Sequence, residues 1–191
     1  MRFKNNTICV TGGTGGIGFS IVLGFLKEGA KVYMHGRNKN KLLSKLNELS
    51  EYKDMIQGLQ ADLSIDSERN RFLEEIDRID SIDTLICCVG NGNVKKGINL
   101  DKDDWGHVLD QNFFSATLIV PKFISKLEKS KNASICFIGS IVAVNHINAP
   151  VSYAVSKSAL TTYSKYLSFE LASKKIRVNC VQPGNIYFDG G

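Results

Sequence analysis

A chain of 191 residues, 43% apolar and 23% charged, is long enough for one domain with a full core and is too evenly mixed for a disordered or fibrous protein. No apolar run is long enough to span a bilayer, and residues 1–6 lack the apolar stretch of a secretory leader, so one cytoplasmic domain over residues 1–191 is expected. The net charge of +5 is carried by basic residues that alternate with acids, which describes solvated helix faces, so no nucleic-acid or membrane partner is expected.

Residues 7–10 form the first predicted strand. Thr11-Gly12-Gly13-Thr14-Gly15-Gly16-Ile17-Gly18 follows, then apolar residues at helical spacing (Ile21, Val22, Phe25, Leu26) as far as Gly29. Strand, glycine-rich turn and helix together make a phosphate cradle. Glycine lets the backbone approach a pyrophosphate, and the helix start offers free N–H groups at its positive dipole end. A second strand over 31–35 stops at Gly36-Arg37-Asn38, ahead of a charged helix over 39–52. Such a loop faces the adenosine ribose. No carboxylate stands there to accept from both ribose hydroxyls; Arg37 does stand there, and a guanidinium suits a 2′-phosphate. NADP(H) is therefore expected in preference to NAD(H).

A third strand over 55–61 ends in Asp62-Leu63-Ser64, and a helix follows over 66–79. The fourth strand, 83–89, is apolar throughout, as a parallel strand covered on both faces should be, and it ends in Gly90-Asn91-Gly92. A long helix is expected over 101–129. Asp101, Asp103 and Asp104 suit its first turn, and Trp105, Val108, Leu109, Ala116, Ile119, Val120, Phe123 and Leu127 make its apolar stripe. Asn112 lies in that stripe as a paired core amide or a kink, and Pro121 should bend or break the helix. The fifth strand, 133–138, leads to Gly139-Ser140. The last helix, 151–173, carries Tyr153 and Lys157 one turn apart on one face. A phenol ionises near pH ~10. An ammonium beside it favours the phenolate and makes it a better proton donor and acceptor near neutrality. The sixth strand, 176–181, is followed by Gln182-Pro183-Gly184. The alternation predicts an α/β fold with a doubly wound, Rossmann-like parallel sheet of six strands and right-handed crossovers. The five cysteines (Cys9, Cys87, Cys88, Cys136, Cys180) fall in apolar runs without metal-ligand spacing, so reduced, buried thiols and no metal are expected.

On these residues the chain resembles the short-chain dehydrogenase/reductases over about residues 7–184. Thr11-Gly12-x-x-x-Gly16-x-Gly18 is similar to that family's cofactor loop, and Asp62 matches its adenine-contacting acid. Asn112, Ser140 (13 residues before Tyr153), Tyr153 and Lys157 match its catalytic tetrad. Arg177-Val178-Asn179 and Pro183-Gly184 resemble the segment that closes over the nicotinamide. The resemblance implies cofactor binding by Gly12, Thr14, Gly15, Gly16, Ile17, Gly18, Arg37, Asp62, Leu63, Gly90, Tyr153, Lys157, Pro183 and Gly184. It also implies hydride transfer between nicotinamide and a small carbonyl or alcohol (an acyl thioester, a sugar or another ketone). Tyr153 would move the proton, Lys157 would assist it, Ser140 would orient the substrate oxygen, and Asn112 would hold a water that links Lys157 to solvent. A homodimer through the helices bearing Asn112 and Tyr153 is implied as well.

The same loop also fits Gly12-x-x-Gly15-x-x-Gly18, found in longer relatives that act on nucleotide sugars as epimerases or dehydratases. The Ser140–Tyr153 spacing favours the compact branch, which includes 3-oxoacyl-carrier-protein reductases. Two departures leave room for a cofactor-binding protein without turnover. Cys87-Cys88-Val89-Gly90 stands where the family carries Asn-Asn-Ala-Gly, and Phe188 stands where a Thr often aligns the nicotinamide. Relatives also continue into a substrate-covering loop, a helix and a seventh strand, so a truncated or minimal member is expected, with its sixth strand an open edge.

Overall fold

The structure, a computed structural model, describes residues 1–187; Phe188 lies outside the described residues. Six strands form one sheet: β1 (Thr7–Thr11), β2 (Lys31–Gly36), β3 (Ile56–Gln60), β4 (Thr84–Cys87), β5 (Ser134–Ile138) and β6 (Arg177–Val181). Their order is β3-β2-β1-β4-β5-β6 and every pairing is parallel. Between them run α1 (Gly16–Lys27), α2 (Lys39–Glu48), α3 (Asp66–Asp77), α4 (Lys102–Leu109), the single turn α5 (Ser115–Thr117), α6 (Val120–Leu127) and α7 (Val151–Glu170). The doubly wound sheet is as expected, and β6 pairs on one side only among the described residues.

Alternating side chains supply the sheet with two cores, because successive residues of a strand face opposite ways. Cys9, Leu85, Cys87, Ile135 and Phe137 pack under α3, α6 and α7, where Phe72 and Phe123 stack with ring centroids 6.4 Å apart. Ile8, Val10, Val32, Met34 and Ile86 pack under α1 and α2 with Val22, Leu26 and Leu42. Burying each such side chain contributes about 1.5–3 kcal/mol. Cys9 and Cys87 are buried as expected, and burial raises both thiol pKa values. Cys88, Cys136 and Cys180 are only half-buried, which corrects the expectation for those three. Cys88 stands just past β4 and Cys180 lies on the edge strand β6, while Cys136, in the middle of β5, lines a cleft with Phe25 and Pro183.

The expected helix over 101–129 is divided. Asp101 caps α4 by accepting from Asp104 N–H at 2.8 Å, while the Asp104 carboxylate accepts from Asp101 N–H. After Leu109 the ladder widens into a five-residue π turn, Asp110–Phe114, that surrounds Asn112. Pro121 stands in the first turn of α6, where it needs no N–H partner, so the break falls just ahead of it. The strand order reverses between β1 and β4, and a cleft for ligands forms outside the carboxyl ends of the strands there.

Candidate active site

The first wall of the cleft is the turn after β1. Gly12 holds φ +68°, and a Cβ there would meet Cys88 O at 2.7 Å. Gly18 packs still closer: its Cβ would stand 2.2 Å from Gly12 O, so α1 lies directly against the turn. Gly15 is the N-cap of α1 and brings no side-chain cap, and no acid occupies the first turn. The N–H groups at the start of α1 are thus left for an anionic ligand, and the backbone comes close enough to suit a dinucleotide's diphosphate.

His35, at the end of β2, ties this turn to the sheet. Its Nδ1 accepts from Gly12 N–H at 3.1 Å, and its Nε2 lies 2.9 Å from the Ala61 carbonyl. A backbone N–H can only donate and a carbonyl can only accept, so the ring is the neutral tautomer with its proton on Nε2. Gly13 N–H donates to the His35 carbonyl as well, at 2.8 Å. Burial lowers the His35 pKa to about 4, against which the bond to Ala61 and the Asp62 charge act in the opposite direction.

The second wall carries charge. A cleft of about 370 Å³ is lined by Gly12, Thr14, Gly15, Arg37, Asp62, Leu63 and Gly90 from the sequence reading, together with His35, Asn38, Lys41, Ser64, Cys88, Asn91 and Gln111. Asp62 is half-buried, which by itself would raise its pKa. The hydroxyl and the N–H of Ser64, with Arg37 and His35, outweigh burial and hold the carboxyl below its ordinary value. Arg37 Nη1 lies 3.9 Å from Asp62 and is mostly exposed, a pairing that costs little to break. Lys41 adds a second cation to the same wall. Nothing in the sequence marks it, because its placement depends on α2 starting at Lys39 behind the Asn38 cap.

Beyond Gly90 the cleft meets the polar end of the molecule. Asn112 is fully buried: Oδ1 accepts from Asn91 N–H at 2.9 Å, and Nδ2 donates to Asn91 O and Val108 O, each at 3.1 Å. Both amide hydrogens are therefore engaged by protein groups. A Cβ on Gly90 would lie 2.8 Å from Lys157 Nζ and 3.0 Å from Asn112 Oδ1, so glycine is what lets the ammonium and the amide approach the turn. Lys157 is 3% exposed and donates to Ile138 O at 3.0 Å. Burial lowers its pKa, with the neighbouring Cys88 and Cys180 acting the other way. Its Nζ lies 6.0 Å from the centre of the Tyr153 ring, and a Cβ on Gly92 would lie 3.6 Å from that ring. Ser140 follows β5, two residues after the carbonyl that Lys157 holds, and its hydroxyl accepts from Val142 N–H at 3.4 Å. No hydrogen bond joins Ser140 to Tyr153 among the described residues.

Other residues from the sequence reading fall elsewhere. Gly16, Ile17 and Pro183 line a second cleft with Ile186 and Tyr187, and Gly184 has open space around it. At Cys87-Cys88, Thr11 supplies side-chain bonds: its hydroxyl donates to Ile86 O at 3.3 Å and accepts from Cys88 N–H at 3.2 Å. The Cys88 thiol is pushed up to about 11 by burial, with Lys157 opposing, and so stays neutral.

A family model described as short chain dehydrogenase matches residues 6–189. The 3-oxoacyl-acyl-carrier-protein reductase FabG of Chlamydia trachomatis is 32% identical over 193 residues, covering 97% of this chain and 75% of the relative. The L-sorbose reductase of Gluconobacter frateurii, solved with NADPH and L-sorbose, superposes with a TM-score of 0.91 at 24% identity, covering 99% of this chain and 73% of that one. The RhlG/NADP active-site complex of Pseudomonas aeruginosa gives a TM-score of 0.88 at 26% identity, covering 96% and 74%.

Proposed function

We propose, from the premise that this chain belongs to the short chain dehydrogenase family of oxidoreductases acting on CH–OH or carbonyl groups, that it is an NADP(H)-dependent reductase of a small ketone. The observation that carries this reading is the buried Lys157 ammonium, held by Ile138 O one helical turn from Tyr153 at the inner end of the nucleotide cleft. A bound nicotinamide supplies or accepts the hydride. Tyr153 gives its phenolic proton to the carbonyl oxygen in reduction and takes it back in oxidation. Lys157, with one N–H on Ile138 O, has two more to offer to the cofactor ribose and to the negative charge that develops beside Tyr153. The Ser140 hydroxyl donates to the same substrate oxygen. Asn112 clamps the Gly90-Asn91 turn that keeps Lys157 in place. Among relatives, the resemblance to 3-oxoacyl-acyl-carrier-protein reductases supports an acyl thioester, and a sugar ketone is the second candidate substrate. NADPH oxidation across a panel of both tests the reading, and binding of NADPH with no turnover on any of them would end it.

Arg37 and Lys41 favour a 2′-phosphate on the adenosine ribose. Arg37→Ala should weaken NADPH binding by roughly 10- to 100-fold, the worth of one charge-assisted hydrogen bond, and leave NADH nearly unchanged. Fluorescence titration with both cofactors measures this, and equal losses would remove the NADP preference.

The homodimer is also part of this reading. Val155, Tyr166 and Phe169 on α7, with Phe114 and Leu118 beyond α4, are exposed apolar side chains on the helical layer that holds Asn112 and Tyr153. Sedimentation at micromolar concentration should show two copies; a monomer would contradict it.

A further inference from the structure

We propose that Gln182 is a positioning residue that locks Ser140 to the Lys157 turn of α7, an inference that rests on the reductase reading above. The amides on either side of Ser140 are taken by backbone: Gly139 N–H donates to Val181 O at 2.8 Å, and Ile141 N–H to Pro183 O at 2.9 Å. The N–H of Ser140 itself donates to a side chain, Gln182 Oε1, at 2.7 Å. Gln182 Nε2 then donates to Thr161 Oγ1 at 2.8 Å, with Cys180 Sγ at 3.3 Å beside it. The Thr161 hydroxyl donates to the Lys157 carbonyl at 2.8 Å.

Each role in this run is forced. The Ser140 N–H can only donate, so the amide oxygen must face it and the amide nitrogen must face Thr161. The single proton of the hydroxyl is then left for the Lys157 carbonyl. Two side chains thereby join the main chain of Ser140 to the main chain of Lys157.

The surroundings are shaped to this link. A Cβ on Gly139 would stand 2.3 Å from Gln182 Oε1, so glycine leaves the space through which the Gln182 side chain crosses. Thr161 is 9% exposed, and water therefore offers its hydroxyl little alternative. Pro183 restricts Gln182 to extended backbone, which limits where its side chain can point. Ser140 stands past the last residue of β5, whereas Tyr153 and Lys157 stand on α7. The bond from Lys157 Nζ to Ile138 O is one tie between these two bodies, the Ser158 hydroxyl on Ala143 O at 3.5 Å is another, and Gln182 makes the one at Ser140 itself. A hydroxyl and a phenol that address one substrate oxygen need a tie at the hydroxyl's own residue, because small misplacements of reacting groups are costly in rate.

The test uses the whole chain with Gln182→Met, which keeps the length of the side chain and removes both hydrogen-bonding groups. Hydrogen exchange at the Ser140 amide should quicken about tenfold, the worth of one hydrogen bond, with the Gly139 and Ile141 amides unchanged. In steady state kcat should fall by a comparable factor of about ten while KM for NADPH is unmoved. Thr161→Val should reproduce the fall in kcat, and the double variant should add little to either single one, since the two residues act in one run. Unchanged Ser140 exchange would overturn the proposal. So would faster exchange with unchanged kcat, which would reduce Gln182 to a purely structural role. If the wild type turns over no carbonyl, the reductase reading fails by itself, and the exchange measurement still decides whether Gln182 holds Ser140.

Discussion

Tyr153→Phe should lower kcat by about 10²–10⁴-fold, the usual contribution of a general acid–base group, and leave NADPH affinity nearly intact. The substitution removes one oxygen. The ring keeps its place, because Gly92 packs against it and the Lys157 ammonium lies 6.0 Å from its centre, and neither contact needs the hydroxyl. Lys157 keeps its bond to Ile138 O, so the inner end of the cleft does not collapse. What is lost is the proton that, in the proposed reduction, the carbonyl oxygen would receive as hydride arrives at carbon. Stopped-flow and steady-state rates with NADPH and a reducible ketone measure the loss, and fluorescence titration shows that binding survives. Undiminished turnover would remove Tyr153 from the chemistry and the central step of the proposed function with it.

The second large effect is a pH dependence set by His35. Its pKa is lowered from 6.5 to about 4 in the folded protein. The folded state therefore binds fewer protons than the unfolded state between those values. The contribution of His35 to stability is fully present above pH 6.5 and is lost as pH falls through 4. A difference of this size is worth on the order of 3 kcal/mol. The physical cause is concrete: a protonated ring would set an N–H on Nδ1 against the N–H of Gly12, in a buried site. Asp62 is the charged group that faces the ring and Phe72 packs edge-on against it, so the penalty is moderated by the bond to the Ala61 carbonyl and, less, by the Asp62 charge. Urea unfolding at pH 6.5 and pH 4 should show a steeper loss in the wild type than in His35→Gln, which cannot take a proton. Equal losses in the two proteins would show that the ring does not carry the effect.

The fold was legible because its signals are local. Glycines after an apolar strand, and apolar residues at helical spacing after the glycines, are enough to place β1, the turn and α1. Asn112 was readable as a core amide, but the π turn around it was not. That turn depends on Asn91, which is distant in sequence and takes both an acceptor and a donor from the Asn112 amide. His35 and Lys41 escaped the reading for a similar reason. A histidine in an apolar strand and a lysine in a charged helix look ordinary until β1, β2 and β3 bring Gly12 and Ala61 to the one, and the Asn38 cap turns the other toward the cleft. Gly18 shows the reverse. Its motif points to a ligand, yet the tightest contact it permits is with Gly12 O, so it serves the packing that shapes the cradle.

The reversal of strand order between β1 and β4 also bears on heredity. Gly12, His35, Arg37, Lys41 and Asp62 all precede residue 65, whereas Asn112, Ser140, Tyr153, Lys157 and Gln182 all follow residue 83. Among the described residues, one strand ladder joins the two groups, Ile8–Thr11 against Thr84–Cys87, with Gly12 seated on Cys88. A genetic crossover within the codons for α3 would thus exchange one part of the cleft wall for another and pass on Asn112, Ser140, Tyr153, Lys157 and Gln182 together. The joint that such a recombinant must preserve includes that ladder, Gly12 on Cys88, and the shared core beneath it, in which Phe72 stacks on Phe123. Under the proposed function, the groups at the adenosine end of the cleft and the proton-handling groups thus lie in separate halves of the chain, while Gly90 and Lys157 keep the second half in contact with the cofactor as well.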